Sequence, residues 1–237
     1  MKKVLVTTSL LLFIAVNYFT VNVFAETGID VIRASATAMN FAKLKEFNTM
    51  QIRATVYAQN QRVGIRVMSK GDDLLRFEQT IMGRDEIYVL TEDAFFQLKP
   101  VFKELDKEDA LSIMILISRM MPTMMFGDVD SLNEEKVSIE LIGIEKFNGK
   151  DAKKVRMTPK ESPETVQYLY FDAITNWLLG VDLTSQVSLV YEKMKRLKGY
   201  VYPAVIKLMV DGKKQQEIEI NKLEADIDLP DSLFERP

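Results

Sequence analysis

The chain contains no cysteine and no histidine among its 237 residues. Without a thiol or an imidazole, the protein has no disulfide, no thiolate nucleophile, no zinc–thiolate centre and no Ser-His-Asp triad. It also lacks the cysteine that an acylated lipoprotein carries at its cleavage point. No motif surrounds any pair of carboxylates in the way that would indicate a glycosidase. We therefore expect a binding protein rather than an enzyme, with no cofactor and no bound metal.

The chain also lacks a surplus of positive charge. Its 31 Lys and Arg residues face 34 Asp and Glu residues, which leaves a formal net charge of −3. Nucleic-acid binding needs many cations against phosphates, so we expect no nucleic-acid partner. Hydrophobic residues make up 47% and charged residues 27%, which is a globular balance. No linker or repeat divides the sequence, so we expect a single domain and a monomer.

The N-terminal segment has the pattern of an export signal. Lys2 and Lys3 precede an apolar stretch over residues 4–16, and the segment closes at Ala25, a small residue of the kind read by signal peptidase. We expect residues 1–25 to be a signal peptide cleaved after Ala25, with a domain over 26–237 in the periplasm. The alternative is an uncleaved membrane anchor, because the apolar stretch approaches the length of a spanning helix.

The period of the apolar residues changes along the chain. A spacing of three to four predicts a helix over 29–46, and alternation from Thr49 to Lys99 predicts a meander of strands. Residues 107–125 are too continuously apolar for a surface helix, and Pro122 should end or kink that segment. Strands resume between 136 and 225. Gly143 indicates a bulge there, and Asn148-Gly149 indicates a tight hairpin.

This order of elements predicts an α+β, mostly β fold. We expect a single curled antiparallel sheet, a half-barrel of about ten or eleven strands. A sheet of that size curls and packs one face against something apolar. The two helical segments are the available filling, so we expect them to act as a plug or lid.

Methionine is concentrated in the second helical segment, at Met114, Met120, Met121, Met124 and Met125. Methionine is unbranched and polarizable, so surfaces rich in it suit interchangeable apolar ligands such as acyl chains. Each buried methylene of such a ligand contributes about 0.8 kcal/mol. The alternative interpretation is that these methionines are ordinary core packing.

Three further residues are candidates for contacts with a ligand. Arg66 and Arg76 lie in the predicted first meander, where a guanidinium could meet a lipid head group. The alternative is that both belong to the solvated side of a sheet with one wet face. Trp177, the only tryptophan, starts a predicted strand and fits either the core or a cavity wall.

Several short stretches, taken in order, resemble the LolA-type lipoprotein carriers. They are residues 47–51 leading into the first strand, 69–77, 149–159, Tyr170-Phe171-Asp172 ahead of Trp177, and the tail 229–234. The resemblance spans nearly the whole chain after residue 25, and its specificity lies in the order of the stretches. The sequence departs from the family at Lys70-Gly71-Asp72, where the best-known members have Lys-Arg-Pro.

The resemblance implies a periplasmic carrier or chaperone that binds acyl chains of lipoproteins or other lipids in an apolar cavity. Transport would then be toward the outer membrane, with partners in the inner and outer membranes. The alternative is a lipid- or peptide-binding sensor of the same fold that regulates a partner protein. The candidate cavity and lid residues are Met114, Ile117, Met120, Met121, Met124, Met125, Phe77 and Trp177, with Arg66 and Arg76 as candidate head-group contacts.

Overall fold

One antiparallel sheet makes up most of the computed structural model of the protein. The structure describes residues 26–59, 61–106, 113, 117, 132 and 135–237. Within these residues thirteen strands follow the order β6-β5-β4-β3-β2-β1-β13-β12-β11-β10-β9-β8-β7, so the sheet is open, with β6 and β7 at its edges. The α+β class and the single antiparallel sheet are therefore confirmed.

The pairing of β1 with β13 joins two meanders. The N-terminal meander consists of β1 (Thr49–Ala58), β2 (Gln61–Lys70), β3 (Leu74–Ile81), β4 (Arg84–Leu90), β5 (Phe95–Lys99) and β6 (Lys103–Glu104). The C-terminal meander consists of β7 (Val137–Phe147), β8 (Lys150–Pro159), β9 (Gln167–Asp172), β10 (Leu178–Asp182), β11 (Val187–Leu197), β12 (Tyr200–Val210) and β13 (Lys213–Ala225). The strand count exceeds the predicted ten or eleven. The two-residue β6 is too short to produce an alternating pattern.

The predicted helix over 29–46 is two helices, α1 (Gly28–Met39) and α2 (Ala42–Lys45). Thr27 caps α1: its hydroxyl accepts the Asp30 N–H, and the Asp30 carboxylate accepts the Thr27 N–H at 3.0 Å. The break comes at Asn40, whose φ of 55° is left-handed. Apolar spacing alone did not reveal this break. Among the described residues no helix is long and apolar enough to cross a membrane.

We call the face of the sheet that α1 packs against the inner face, and the opposite face the outer face. Helix α1 lies against β7, β8 and β12, and buries Val31, Ile32 and Met39 there. The approach is close, because a Cβ at Gly28 would lie 2.9 Å from the backbone carbon of Glu140. The helix therefore acts as a fixed filling on the C-terminal meander.

The local signals in the C-terminal meander are confirmed. The register between β7 and β8 shifts between Leu141 and Gly143, which is the predicted bulge. Phe147 pairs with Lys150 across Asn148-Gly149, which is the predicted two-residue hairpin.

A second, smaller core lies on the outer face of the N-terminal meander. The C-terminal tail after β13 crosses this face, and its Leu229 and Phe234 are buried against Met68, Val89 and Phe96. Lys70 anchors the tail, since its Nζ donates to the Leu229 carbonyl oxygen at 2.9 Å and to the Asp231 Oδ1 at 2.6 Å. We call this set of contacts the tail core.

Candidate functional site: an apolar inner face

The inner face is apolar across the junction of the two meanders. Ile52 of β1 is directly opposite Leu223 of β13 and Val67 of β2. The same row continues from Val67 to Phe77 of β3 and Tyr88 of β4. Successive side chains of a strand alternate between faces, so the sequence alternation places every second residue of these strands here. The result is one connected hydrophobic cluster.

The methionine-rich segment reaches this cluster at two described positions. Ile117 is 0% exposed and belongs to the cluster, and Ile113 packs against it. Both residues have helical backbone conformation, as the sequence predicted for this segment. The predicted ligand-contacting residues Met114, Met120, Met121, Met124 and Met125 lie outside the described residues, so their roles stay predictions.

Two other predicted cavity residues lie at this face. Phe77 is fully buried within the cluster. Trp177 is partly buried against it, immediately before β10. Its neighbour Leu178 donates its backbone N–H to the sulfur of Met39 at 3.4 Å, so this end of β10 meets the last turn of α1. Ligand contact by Phe77 and Trp177 stays a prediction.

Both predicted head-group arginines lie on the outer face. Arg66 donates from Nε to the Gln51 Oε1 at 2.6 Å. Arg76 donates from Nε to the Glu78 Oε1 at 2.7 Å and from Nη1 to the Leu233 carbonyl oxygen at 2.6 Å. Arg76 thus holds the tail core in place. Contact of either arginine with a ligand stays a prediction, but neither lies on the face that carries the apolar cluster.

The inner face also carries a polar group that we did not predict. The Glu86 Oε2 accepts hydrogen bonds from the Gln79 Nε2 at 2.7 Å and from the Tyr88 hydroxyl at 3.0 Å. The strand alternation contained the signal, because Gln79 is two residues after Phe77 and therefore on the same face. A carboxylate held by two donors still has acceptor capacity for an N–H or O–H group of a ligand.

Burial keeps one tyrosine of the inner face uncharged. Burial raises the pKa of the Tyr202 hydroxyl, which lies in the apolar cluster, so this tyrosine is uncharged at neutral pH. Within the described ranges no group of three or more acidic side chains gathers as a metal ion requires. The described part of this face therefore offers apolar burial together with a hydrogen-bonding group at Glu86.

Similarity to solved structures identifies the type of fold. No family model matches the sequence, and no curated protein matches it. A LolA superfamily protein from Nitrosomonas europaea is similar in structure, with a TM-score of 0.51 and 14% identity, over 85% of this chain and 97% of that chain. A putative outer membrane lipoprotein-sorting protein domain from Vibrio parahaemolyticus is similar with a TM-score of 0.50 and 16% identity, over 84% of this chain and 97% of that chain. The chain therefore has a LolA-like fold.

Proposed function

We propose that the protein is an exported carrier that binds the acyl chains of lipoproteins or other lipids at its inner face. The observation that carries this proposal is the connected apolar cluster, which extends from β4 across the β1–β13 junction to the strands under α1. Acyl chains need an apolar surface and no directional chemistry, and this face offers that combination.

The described part of the methionine-rich segment supports a lid that lies over this face. Ile113 and Ile117 are its two described attachment points on the cluster. Methionines in such a lid would adapt to chains of different length and branching, because the side chain is flexible and polarizable. Burial of a chain of about 14 methylenes contributes on the order of 10 kcal/mol before ordering costs.

The fold neighbours support the same class of function. One is described as an outer membrane lipoprotein-sorting protein domain and the other as a LolA superfamily protein. Together with the signal-like segment over 1–25, they support a periplasmic location with transport toward the outer membrane. The family arginine position holds Gly71 here, so the cargo need not be a lipoprotein.

Identification of the cargo tests the proposal. The protein is purified from the envelope fraction without detergent, extracted with organic solvent, and the extract is examined by mass spectrometry. We expect acyl lipid or lipopeptide in stoichiometric amount. The double variant Met120→Asp with Met124→Asp should lose most of it, because a charge in the lid opposes contact with acyl chains.

The matched control is Met82→Asn, a methionine substitution at an exposed turn outside the cluster. It should leave the lipid content unchanged. A clean extract from the unmodified protein, together with failure to bind a fluorescent fatty acid, would contradict the carrier proposal. The same fold would then be assigned to a sensor or interaction module, and its partner sought.

A further inference from the structure

The two ends of the N-terminal meander carry opposite charge. At one end, the hairpin stretches 59–62, 81–84 and 98–103 include the cations Arg62, Arg84, Lys99 and Lys103, and the nearest carboxylates are Asp85 and Glu104. At the other end, the turns 71–73 and 91–94 contain no Lys or Arg and include the carboxylates Asp72, Asp73, Glu92 and Asp93. Because the strands are antiparallel, the first three stretches lie together at one end of the sheet. We call it the basic end.

Exposed apolar side chains are found at the basic end as well. Met82, in the turn between β3 and β4, is 84% exposed, and Val101, in the connection between β5 and β6, is 71% exposed. Strands β4 and β5 are neighbours, so these two connections are adjacent hairpin ends. Large apolar side chains this exposed contribute little to the fold.

Met82 occupies a turn position whose backbone conformation favours other residues. Met82 has a φ of 51° and Gly83 a φ of 76°, a two-residue hairpin turn in which Asn-Gly and Asp-Gly are preferred. The same chain uses the preferred pairs at Asn148-Gly149 and Asp211-Gly212, with similar angles. A methionine in the left-handed region is less favourable than asparagine.

Among the described turns with glycine in second place, one other departs from the preferred pair, and its first side chain has a visible partner. Lys198 precedes Gly199 with a φ of 47°, and its Nζ pairs with the Asp226 carboxylate at 2.6 Å. Met82 is too exposed for a comparable packing role. The side chain is therefore available to something outside the chain.

Three cations of the basic end form no ion pair among the described residues. None of Arg62, Arg84 and Lys99 forms an ion pair with another residue that the structure describes. Arg62 instead lies 6.0 Å from the centroid of the Tyr57 ring. By contrast, Lys70 at the opposite end is bonded to the tail, as described above.

We propose that the basic end docks on an anionic lipid bilayer, with Met82 and Val101 in the interfacial layer and Arg62, Arg84 and Lys99 against lipid phosphates. Exposed apolar side chains with basic neighbours suit a bilayer surface, where anionic head groups cover an apolar acyl layer. The acidic opposite end would be repelled by the same surface, so the charge difference also sets the orientation. The proposal does not depend on any cargo at the inner face.

Vesicle flotation tests the docking. The protein from Glu26 onward contains every described element, so it is used without the apolar N-terminal segment. We expect binding to vesicles of phosphatidylcholine with phosphatidylglycerol, weak binding to phosphatidylcholine alone, and a decrease with salt. Arg84→Gln and Lys99→Gln should each reduce the partition coefficient about 5-fold.

Met82→Asn gives the sharpest result, because it installs the preferred turn pair and should not destabilise the fold. We expect it to reduce vesicle binding about 10-fold. The matched control is Ile174→Asn, a residue 90% exposed in the β9–β10 connection at the other end of the sheet. It should bind vesicles as the unmodified protein does.

The docking proposal would be overturned by undiminished vesicle binding of Met82→Asn, by equal binding to both vesicle types, or by no binding at all. Loss of binding in Ile174→Asn would overturn it too, since the effect would then not be specific to the basic end. The lipid content of Met82→Asn separates this proposal from the carrier proposal. Docking can fail while cargo is retained, and cargo can be absent while docking holds.

Discussion

The two meanders are covered on opposite faces. In the C-terminal meander, α1 packs on the inner face against β7, β8 and β12. In the N-terminal meander, the tail packs on the outer face and forms the tail core with Met68, Val89 and Phe96. The sheet is thus covered by a helix on the inner face of the C-terminal meander and by the tail on the outer face of the N-terminal meander.

The difference bears on the carrier proposal, because the N-terminal meander has an apolar core besides its inner face. Strands β2 to β5 have an apolar core on their outer face in addition to the inner-face cluster, in which Val67 and Phe77 are buried. Over the C-terminal meander, α1 approaches the β7 backbone too closely for a single added carbon at Gly28. We infer that the inner face of the C-terminal meander is the more closely packed of the two.

The largest expected effect comes from loss of the tail core. Phe234 is 3% exposed, and Phe234→Ala should lower the free energy of unfolding by about 3–5 kcal/mol, because it leaves a cavity against Phe96 and Leu229. Chemical denaturation with fluorescence detection measures this loss. Hydrogen exchange should show that β3 to β5 lose protection before β8 to β11. Uniform loss across both meanders would contradict the separation into two covered regions.

A smaller effect is expected from disturbance of the helix filling. Gly28→Ala places a Cβ 2.9 Å from the Glu140 backbone, so α1 must shift, at a cost of about 1–3 kcal/mol in the free energy of unfolding.

Gly64→Ala is the matched control, since a Cβ at Gly64 meets nothing within 4 Å. The two variants are compared by thermal and urea unfolding. Equal stability of both would show that α1 is not held closely on β7.

The smallest expected effect on the free energy of unfolding concerns the Glu192 carboxylate in the C-terminal meander. The Glu192 Oε1 accepts from the Lys207 Nζ at 2.8 Å and from the Asn148 Nδ2 at 3.1 Å. The hydrogen bond from Lys207 lowers the pKa of Glu192 below its ordinary value of 4.5, against the opposing effect of burial. A lowered folded-state pKa means that this stabilisation is present above the ordinary value and is lost as the pH falls through the folded-state pKa.

Glu192→Gln should therefore lower the free energy of unfolding by about 1 kcal/mol or less at neutral pH. Under acid conditions the variant and the unmodified protein should converge. Urea unfolding at both pH values measures this difference, with Glu161→Gln in an exposed turn as control. A gap of the same size at both pH values would show that the Glu192 charge does not contribute.

Patterns in the sequence predicted the sheet because alternation is a local property. The hairpin at Asn148-Gly149 and the bulge at Gly143 followed from single residues with special backbone angles. The break at Asn40 was missed because apolar spacing continues through it. The polar group at Glu86 was missed because its three members come from two strands and meet only through the β3–β4 register.

The sequence by itself determined the fold class and the elements on which it rests, because turn residues and apolar periodicity act within a few residues of each other. Only the tertiary structure decided what each face does. Arg76 carries the same charge wherever it lies. The β2–β3 register and the returning tail bring its guanidinium to the Leu233 carbonyl group, to which it donates a hydrogen bond. Met82 and Ile117 are both apolar in sequence, and the fold leaves one in solvent and encloses the other in the core. Contacts between residues far apart in the chain made that distinction, and no local pattern records them.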